Sequence, residues 1–214
     1  MSGLPSGVER RSFGEVTGLA TRGEPHGNEA TDGRWRHWDP ERSKVASMLA
    51  HGLKVPLAPD TTALYLGAAS GTTVSHVADV VDRVYAVEFA PRPLPSLLEA
   101  CDTRPSLIPL CKDARQPASY AHIVEANVDL LIQDVAARDQ AAIALANRQF
   151  LAADGTLVLS IKARSEDVTK SPDDVFAAVR STLESGYEIV ETARLEPHHR
   201  DHLGIVARPK RGPS

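Results

Sequence analysis

The chain has 214 residues, 42% of them hydrophobic and 5% aromatic, enough for one ordinary core but hardly two. Its 24 Lys and Arg stand against 28 Asp and Glu; the formal charge of -4 excludes little, because phosphate binding depends on where cations cluster and not on their sum. No stretch approaches the roughly 18 uncharged apolar residues of a membrane helix, and Met1–Pro5 lack the basic and apolar regions of a secretory signal, so a soluble cytoplasmic protein is expected.

Residues 1–38 are rich in Gly, Arg, Glu and Thr and poor in apolar positions. They predict a small N-terminal β-rich appendage, with short strands around Gly14–Ala20 that need something to pack against. The main domain is expected over 39–214. Two basic clusters stand out: Arg34, Arg36, Arg42 and Lys44, interleaved with Trp35 and Trp38, and the terminal Arg208, Lys210 and Arg211. Each reads as solvated surface or as a phosphate contact. From Pro40 the pattern predicts a helix over Pro40–His51, a strand over Thr61–Leu66, a Gly-containing loop, a helix over Val74–Val80 and a strand over Arg83–Val87. Further strands are predicted at Leu107–Leu110, Val128–Gln133, Thr156–Ile161, Glu188–Leu195 and His202–Ala207. Helices are predicted near Pro95–Asp102, Asp139–Phe150 and Pro172–Leu183.

Strands that alternate with helices imply an α/β fold with a doubly wound, mainly parallel, seven-stranded Rossmann-like sheet. Glu196–Asp201 is too short for a crossover helix, so the last two strands form an antiparallel terminal hairpin. That combination suggests a methyltransferase architecture. Cys101 and Cys111 have no CxxC partner and no zinc-ligand spacing, and read as reduced packing residues.

In such sheets ligands bind beyond the carboxyl ends of the strands. Leu64–Thr73 runs from a buried strand through Gly67, Ala68, Ala69, Ser70 and Gly71 into a helix, and its Gly-x-x-x-Gly spacing lacks the third glycine of a dinucleotide site. Glu88 ends the next strand, where a carboxylate can accept hydrogen bonds from both ribose hydroxyls of a nucleoside cofactor. Asp113 follows the third strand, either as an acceptor for an adenine amine, with Ala114 leaving room for the ring, or as a turn or cap residue. Asp134 and Lys162 end the fourth and fifth strands; charged residues there are poor core candidates and point into the same crevice.

These segments resemble the fibrillarin family, the catalytic subunits of box C/D ribonucleoproteins that methylate ribose 2'-hydroxyls. The likeness is carried by Trp38-Asp39-Pro40-Glu41-Arg42-Ser43-Lys44, Leu66 through Val77, Val84 through Phe89, Asp113-Ala114-Arg115, Asp134-Val135-Ala136, Ser160 through Ala163, Leu195-Glu196-Pro197 and Asp201-His202. Without an N-terminal Gly/Arg-rich domain, the chain looks archaeal in type; a nucleolar site would apply only to a eukaryotic source. The resemblance implies S-adenosyl-L-methionine as cofactor, held at the Gly67–Ala68 loop, Thr72, Thr73, Glu88, Phe89, Asp113, Ala114 and Asp134, Val135, Ala136 and Ala137. It implies a catalytic set of Lys44, Asp134, Lys162 and His202, and no metal. It also implies partners: a box C/D guide RNA with its rRNA or tRNA target, a Nop-domain scaffold protein and a kink-turn-binding ribosomal-type protein. Two positions depart from the family pattern, Ala137 in place of Gln and His198 in place of Tyr.

A ribose hydroxyl must lose its proton as it attacks the methyl group, and Lys162 beside Asp134 is the expected activator, as a base if buried or as an ammonium that stabilises the developing alkoxide. Lys44 and His202 would orient the nucleotide or hold that pair. A small-molecule O-methyltransferase would share the cofactor loop and Glu88 but would carry a lid over its substrate. A structural subunit of a ribonucleoprotein would have lost Asp134 and Lys162.

Overall fold

The computed structural model describes residues 3–210. Four short strands come first: β1 (Glu9–Phe13), β2 (Val16–Arg22), β3 (Thr31–Asp32) and β4 (Trp35–Trp38), in an antiparallel sheet of order β1-β2-β4-β3. The predicted strand around Gly14–Ala20 is β2 together with the turn that precedes it. The main sheet contains β5 (Thr62–Leu66), β6 (Arg83–Val87), β7 (Leu107–Leu110), β8 (Val128–Gln133), β9 (Leu151–Lys162), β10 (Tyr187–Arg194) and β11 (His202–Pro209). Its order is β10-β11-β9-β8-β5-β6-β7, parallel from β9 to β7, with β11 antiparallel to both β9 and β10. The doubly wound sheet and its terminal hairpin are as the sequence pattern requires.

Helices α1 (Lys44–Ala50), α2 (Thr72–Ala78) and α3 (Leu94–Asp102) cover one face, together with the N-terminal sheet. Helices α4 (Gln140–Asn147) and α6 (Pro172–Leu183) cover the other, and a single turn, α5 (Ala163–Glu166), follows β9. Side-chain alternation along the strands separates the two cores: Leu130, Ile132 and Val158 face α1 to α3, whereas Leu131, Leu157 and Leu159 face α4 and α6.

Several boundaries differ from the sequence reading. The helix expected from Pro40 begins at Lys44, because Asp39 first closes its own turn by accepting the Glu41 amide at 2.8 Å, and Ser43 then caps the helix by accepting the Ala46 amide at 3.2 Å. The helix expected over Val74–Val80 starts two residues earlier, at Thr72, straight after the left-handed Gly71. The helix expected over Asp139–Phe150 stops at Asn147 and tightens into a 3-10 turn, and β9 extends back to Leu151. Cys111 does not pack in the core: it follows β7 and is exposed, while Cys101 lies half-buried against the α3 core.

The first basic cluster divides: Arg34 and Arg42 are exposed and Lys44 is half-buried, whereas Arg36 turns inward. Arg36 and Trp38 are fully buried, on the face of β4 turned towards α2. The Arg36 guanidinium donates from Nε to Asp79 at 2.7 Å, from Nη1 to Glu29 at 2.7 Å and from Nη2 to Ser75 at 2.9 Å. Arg104 adds a bond to Asp79 at 3.0 Å and another to the Glu24 carbonyl. His76 stacks on Trp38 at 5.0 Å, with Nδ1 2.7 Å from the Thr21 hydroxyl and Nε2 3.3 Å from Glu29. The network fastens the N-terminal sheet to α2 and α3. In the second cluster Arg208 and Lys210 are both exposed, while Arg211 lies outside the described residues.

Burial pushes the His76 imidazole down to about 4, with the Arg36 charge acting the same way against the pull of Glu29 and Asp79. Burial opposes ionisation of Glu29 too, but the His76 contact, Arg36 and the His26 amide outweigh it and hold the carboxyl at about 2. His76 takes up a proton near 6.5 when unfolded and near 4 when folded, so its stabilising contribution is complete above about pH 6.5 and is lost as pH falls towards 4. Glu29 adds a second loss, from about 4.5 towards 2. The urea midpoint is expected to hold above about pH 6.5 and to fall between there and pH 4, with a stability loss of order 3 kcal/mol from His76. A midpoint that stays flat through that window contradicts the assignment.

Candidate active site

The strand order reverses between β5 and β8, which leaves a crevice where the loops after these two strands separate. Both loops are built by close backbone approach. Asp134 donates its amide to the Leu66 carbonyl at 2.9 Å, and Gly67, at φ +85°, sits where an added Cβ would lie 2.5 Å from the Asp134 carbonyl oxygen. Only glycine fits there. Gly67 and Ala68 both donate to the Val87 carbonyl, which ties the loop to the end of β6. Glu88 reinforces that tie, accepting the Ala69 amide at 2.9 Å and the Ala90 amide at 2.7 Å.

The crevice opens into a cavity of about 490 Å³. Of the residues expected at the cofactor, Gly67, Glu88, Phe89, Asp113, Ala114, Asp134, Val135, Ala136 and Ala137 line it. Ala68, Thr72 and Thr73 do not: Ala68 is buried, the Thr72 hydroxyl faces Ser70 at 3.3 Å, and Thr73 donates its hydroxyl to Ser43 at 3.1 Å, beneath α1. Ala69, Lys112, Arg115, Arg138 and Ile143 also line the cavity and were not anticipated. Arg115 grips Asp113 with Nη2 to Oδ2 at 2.6 Å and Nε to Oδ1 at 2.9 Å, and its guanidinium lies 5.5 Å from the Phe89 ring. The hydrogen bond from Arg115 holds the Asp113 carboxyl below the usual range.

The residues present fit a nucleoside cofactor. Phe89 is 59% exposed at the cavity wall, an unusual position for a large ring unless a flat ligand covers it. Glu88 directly follows β6 and keeps lone pairs beyond its two backbone bonds, and Ala114, Val135 and Ile143 supply apolar wall.

Beside this cavity the four expected catalytic residues come together. Lys44 Nζ lies 3.1 Å from Asp134 Oδ2. Lys162 and His202 are paired across β9 and β11, at the same end of the sheet. Burial lowers the His202 pKa, and Lys44 and Lys162 act the same way against the opposing Arg200 carbonyl and Asp134, so His202 senses the other three. His202 Nδ1 is 2.7 Å from the Arg200 carbonyl; the carbonyl can only accept, so Nδ1 carries the proton. His199 is a neighbour the sequence did not mark: its ring is 5.6 Å from that of His202, and burial and Lys44 lower its pKa. His198, one of the two departures from the family pattern, points elsewhere, with Nδ1 3.1 Å from the Ser47 hydroxyl on α1.

Buried Gln140 at the start of α4 clasps the Lys162 backbone from both sides, accepting its amide at 3.1 Å and donating to its carbonyl at 3.3 Å. Glu166 in turn accepts the amides of Asp139 and Gln140 at 2.8 and 2.6 Å. Nothing in the local pattern of Gln140 announces this role, because its partner is 22 residues away.

A doubly wound sheet with a terminal antiparallel hairpin, a glycine-bearing loop after β5 and a carboxylate closing β6 define the class, a methyltransferase fold with a nucleoside-cofactor crevice. A family model described as Fibrillarin matches residues 18–211. The fibrillarin-like rRNA/tRNA 2'-O-methyltransferase of Haloarcula marismortui is 61% identical over 208 residues, which cover 97% of this chain and 99% of that protein. Among solved structures, fibrillarin in a fibrillarin/Nop5p complex has a TM-score of 0.89 at 40% identity, over 98% of this chain and 100% of that one. Aeropyrum pernix fibrillarin, solved with natively bound S-adenosyl-L-methionine, has a TM-score of 0.80 at 40% identity, over 90% and 89%. The chain belongs to the fibrillarin family.

Gly67→Ala tests the close approach on which the crevice rests. The new methyl would meet the Asp134 carbonyl and hold a left-handed backbone, so the variant is expected to lose about 2–3 kcal/mol of stability in urea unfolding. A stability within about 0.5 kcal/mol of the parent contradicts the packing described.

Proposed function

We propose that this chain transfers a methyl group from S-adenosyl-L-methionine to the ribose 2'-hydroxyl of rRNA and tRNA, as the catalytic subunit of a box C/D ribonucleoprotein in the cytoplasm. The observation that carries this reading is the double position of Asp134, which walls the cofactor cavity and also pairs with Lys44 beside Lys162 and His202. One residue thus joins the place for the methyl donor to the place for the acceptor. The relatives named for rRNA/tRNA 2'-O-methyl transfer and the fibrillarin solved with S-adenosyl-L-methionine support the same reading.

Glu88 would hold the cofactor ribose, Asp113 the adenine amine, and Phe89, Ala114 and Ile143 the ring. When bound, the cofactor supplies a methyl group already activated by its positively charged sulfur, so no metal is required for the transfer. The acceptor hydroxyl is a poor nucleophile and must give up its proton as it attacks. His202 stands neutral at neutral pH, with Nδ1 committed to the Arg200 carbonyl, which leaves Nε2 as a proton acceptor. Lys162, its backbone held by Gln140, and Lys44, held by Asp134, place positive charge where the alkoxide develops.

The fibrillarin/Nop5p structure supports a Nop-domain scaffold as partner for this chain too. Target choice is assigned to a guide RNA base-paired with the substrate, and a kink-turn-binding protein completes the particle. The test is methyl transfer from radiolabelled S-adenosyl-L-methionine to guide-matched RNA by the assembled particle, with Lys162→Ala and Asp134→Asn variants in parallel. Both variants are expected to lose on the order of 100-fold or more in rate. The isolated subunit should bind cofactor yet methylate RNA poorly; full activity from it alone removes the scaffold from the proposal. Cofactor binding by the complete particle with no transfer to RNA leaves a structural or small-molecule role in its place.

A further inference from the structure

The loop between β5 and α2 carries three left-handed residues, Gly67, Ala69 and Gly71, and Ala69 at φ 49° is one where a side chain makes that conformation costly. Such a loop keeps its shape only if its surroundings fix it. On the inner side Glu88 and the Val87 carbonyl do so. On the outer side the contact comes from the N-terminal appendage. His26, 9% exposed, places Nε2 2.7 Å from the Ser70 carbonyl, and an added Cβ on Gly71 would lie 3.1 Å from the same nitrogen. Because a carbonyl can only accept, Nε2 carries a proton and donates it.

His26 is itself held. Its amide donates to Glu29 at 3.2 Å, Glu29 is locked by Arg36, and Arg104 donates to the Glu24 carbonyl two residues before it. The Ser96 hydroxyl on α3 stands 3.5 Å from Nε2. The appendage therefore reaches the cofactor loop through one ring fixed by the buried ion network.

We infer that His26 is a positioning residue of the cofactor site, which latches the Ser70 carbonyl and holds the strained loop ready before the cofactor arrives. The inference rests on the cofactor reading above. A preformed loop spares the ligand the cost of ordering it, so the latch acts on cofactor affinity and not on the chemical step. Loss of one hydrogen bond of ordinary strength corresponds to about three- to tenfold in affinity.

The test uses two variants of the full chain. His26→Phe keeps the ring volume and removes the donor; His26→Gln keeps a donor at nearly the same reach. Titration calorimetry with S-adenosylhomocysteine is expected to show affinity weakened about three- to tenfold in His26→Phe and restored to within about twofold in His26→Gln. In the assembled particle the Phe variant should raise the KM for the methyl donor and leave kcat within about twofold. Hydrogen exchange in the cofactor-free proteins should show the 69–71 amides opening faster in the Phe variant only. Parental affinity in both variants overturns the inference, and so does equal weakening in both, because the donor is then irrelevant. If His26→Phe does not fold, His26→Asn, whose shorter amide cannot reach Ser70, takes its place. If the parent protein fails to bind S-adenosylhomocysteine, the cofactor reading falls, and the exchange rates still decide whether the latch exists.

Discussion

The contact between Gly67 and the Asp134 backbone is the constraint from which the site follows. At the reversal of strand order the chain ends of β5 and β8 must separate to leave a crevice, yet here they stay in touch for one residue more, through the Asp134 amide on Leu66 and a gap that admits no side chain at Gly67. The separation then begins at fixed points. Asp134 leaves the sheet with its backbone on the cavity and its carboxylate turned to Lys44, and the cofactor wall and the catalytic group acquire their relative placement from one short stretch of backbone. Sites carried on strand ends are held more firmly than sites on free loops.

The helices that bring the remaining groups are fastened to that frame by polar contacts with few alternatives. Ser43 caps α1 one residue before Lys44 and also takes the Trp38 indole N–H at 2.9 Å and the Thr73 hydroxyl, so the start of the Lys44 helix, the last strand of the N-terminal sheet and the helix after the cofactor loop meet at one oxygen. The Arg36, Glu29, Asp79 and Arg104 network lies one layer away. Buried charges of this kind are costly when a partner is removed, which makes the junction specific even where it adds little net stability. The short N-terminal strands brace α2 and the loop that precedes it through Arg36, Thr21 and His26.

The strand ends were the most legible part of the sequence, for a physical reason. A charged residue placed straight after an apolar strand has no core to enter, so Glu88, Asp134 and Lys162 announced the active edge from local pattern alone. Arg36 misled because a basic residue among tryptophans looks like surface until its two carboxylate partners, 7 and 43 residues away, are seen. His26 and Gln140 gave no signal for a similar reason: each acts through a single hydrogen-bonded contact to distant backbone, which no periodicity encodes. Thr73 was placed at the cofactor by resemblance, whereas its hydroxyl is turned towards Ser43. Helix starts failed by a few residues where a capping side chain, and not propensity, sets the boundary, as at Ser43.

The arrangement of charge around the site bears on how RNA reaches it. Lys44 is neutralised by Asp134, Arg115 by Asp113 and Arg164 by Asp201 at 3.0 Å, and Arg36 is consumed inside the fold. Affinity for a nucleic acid backbone grows with the number of cations free to replace its counterions. Here the cations divide: Lys44 and Arg115 are committed to carboxylates, whereas Lys112, Arg138 and Lys162 make no ion pair among the described residues. Burial keeps His202 neutral, and the pair with Asp134 keeps Lys44 in place, because a lysine free to follow phosphates would not stay 3.1 Å from Asp134. The paired Lys44 is thereby preorganised for the reacting centre, while the uncommitted cations are those able to meet a phosphate backbone.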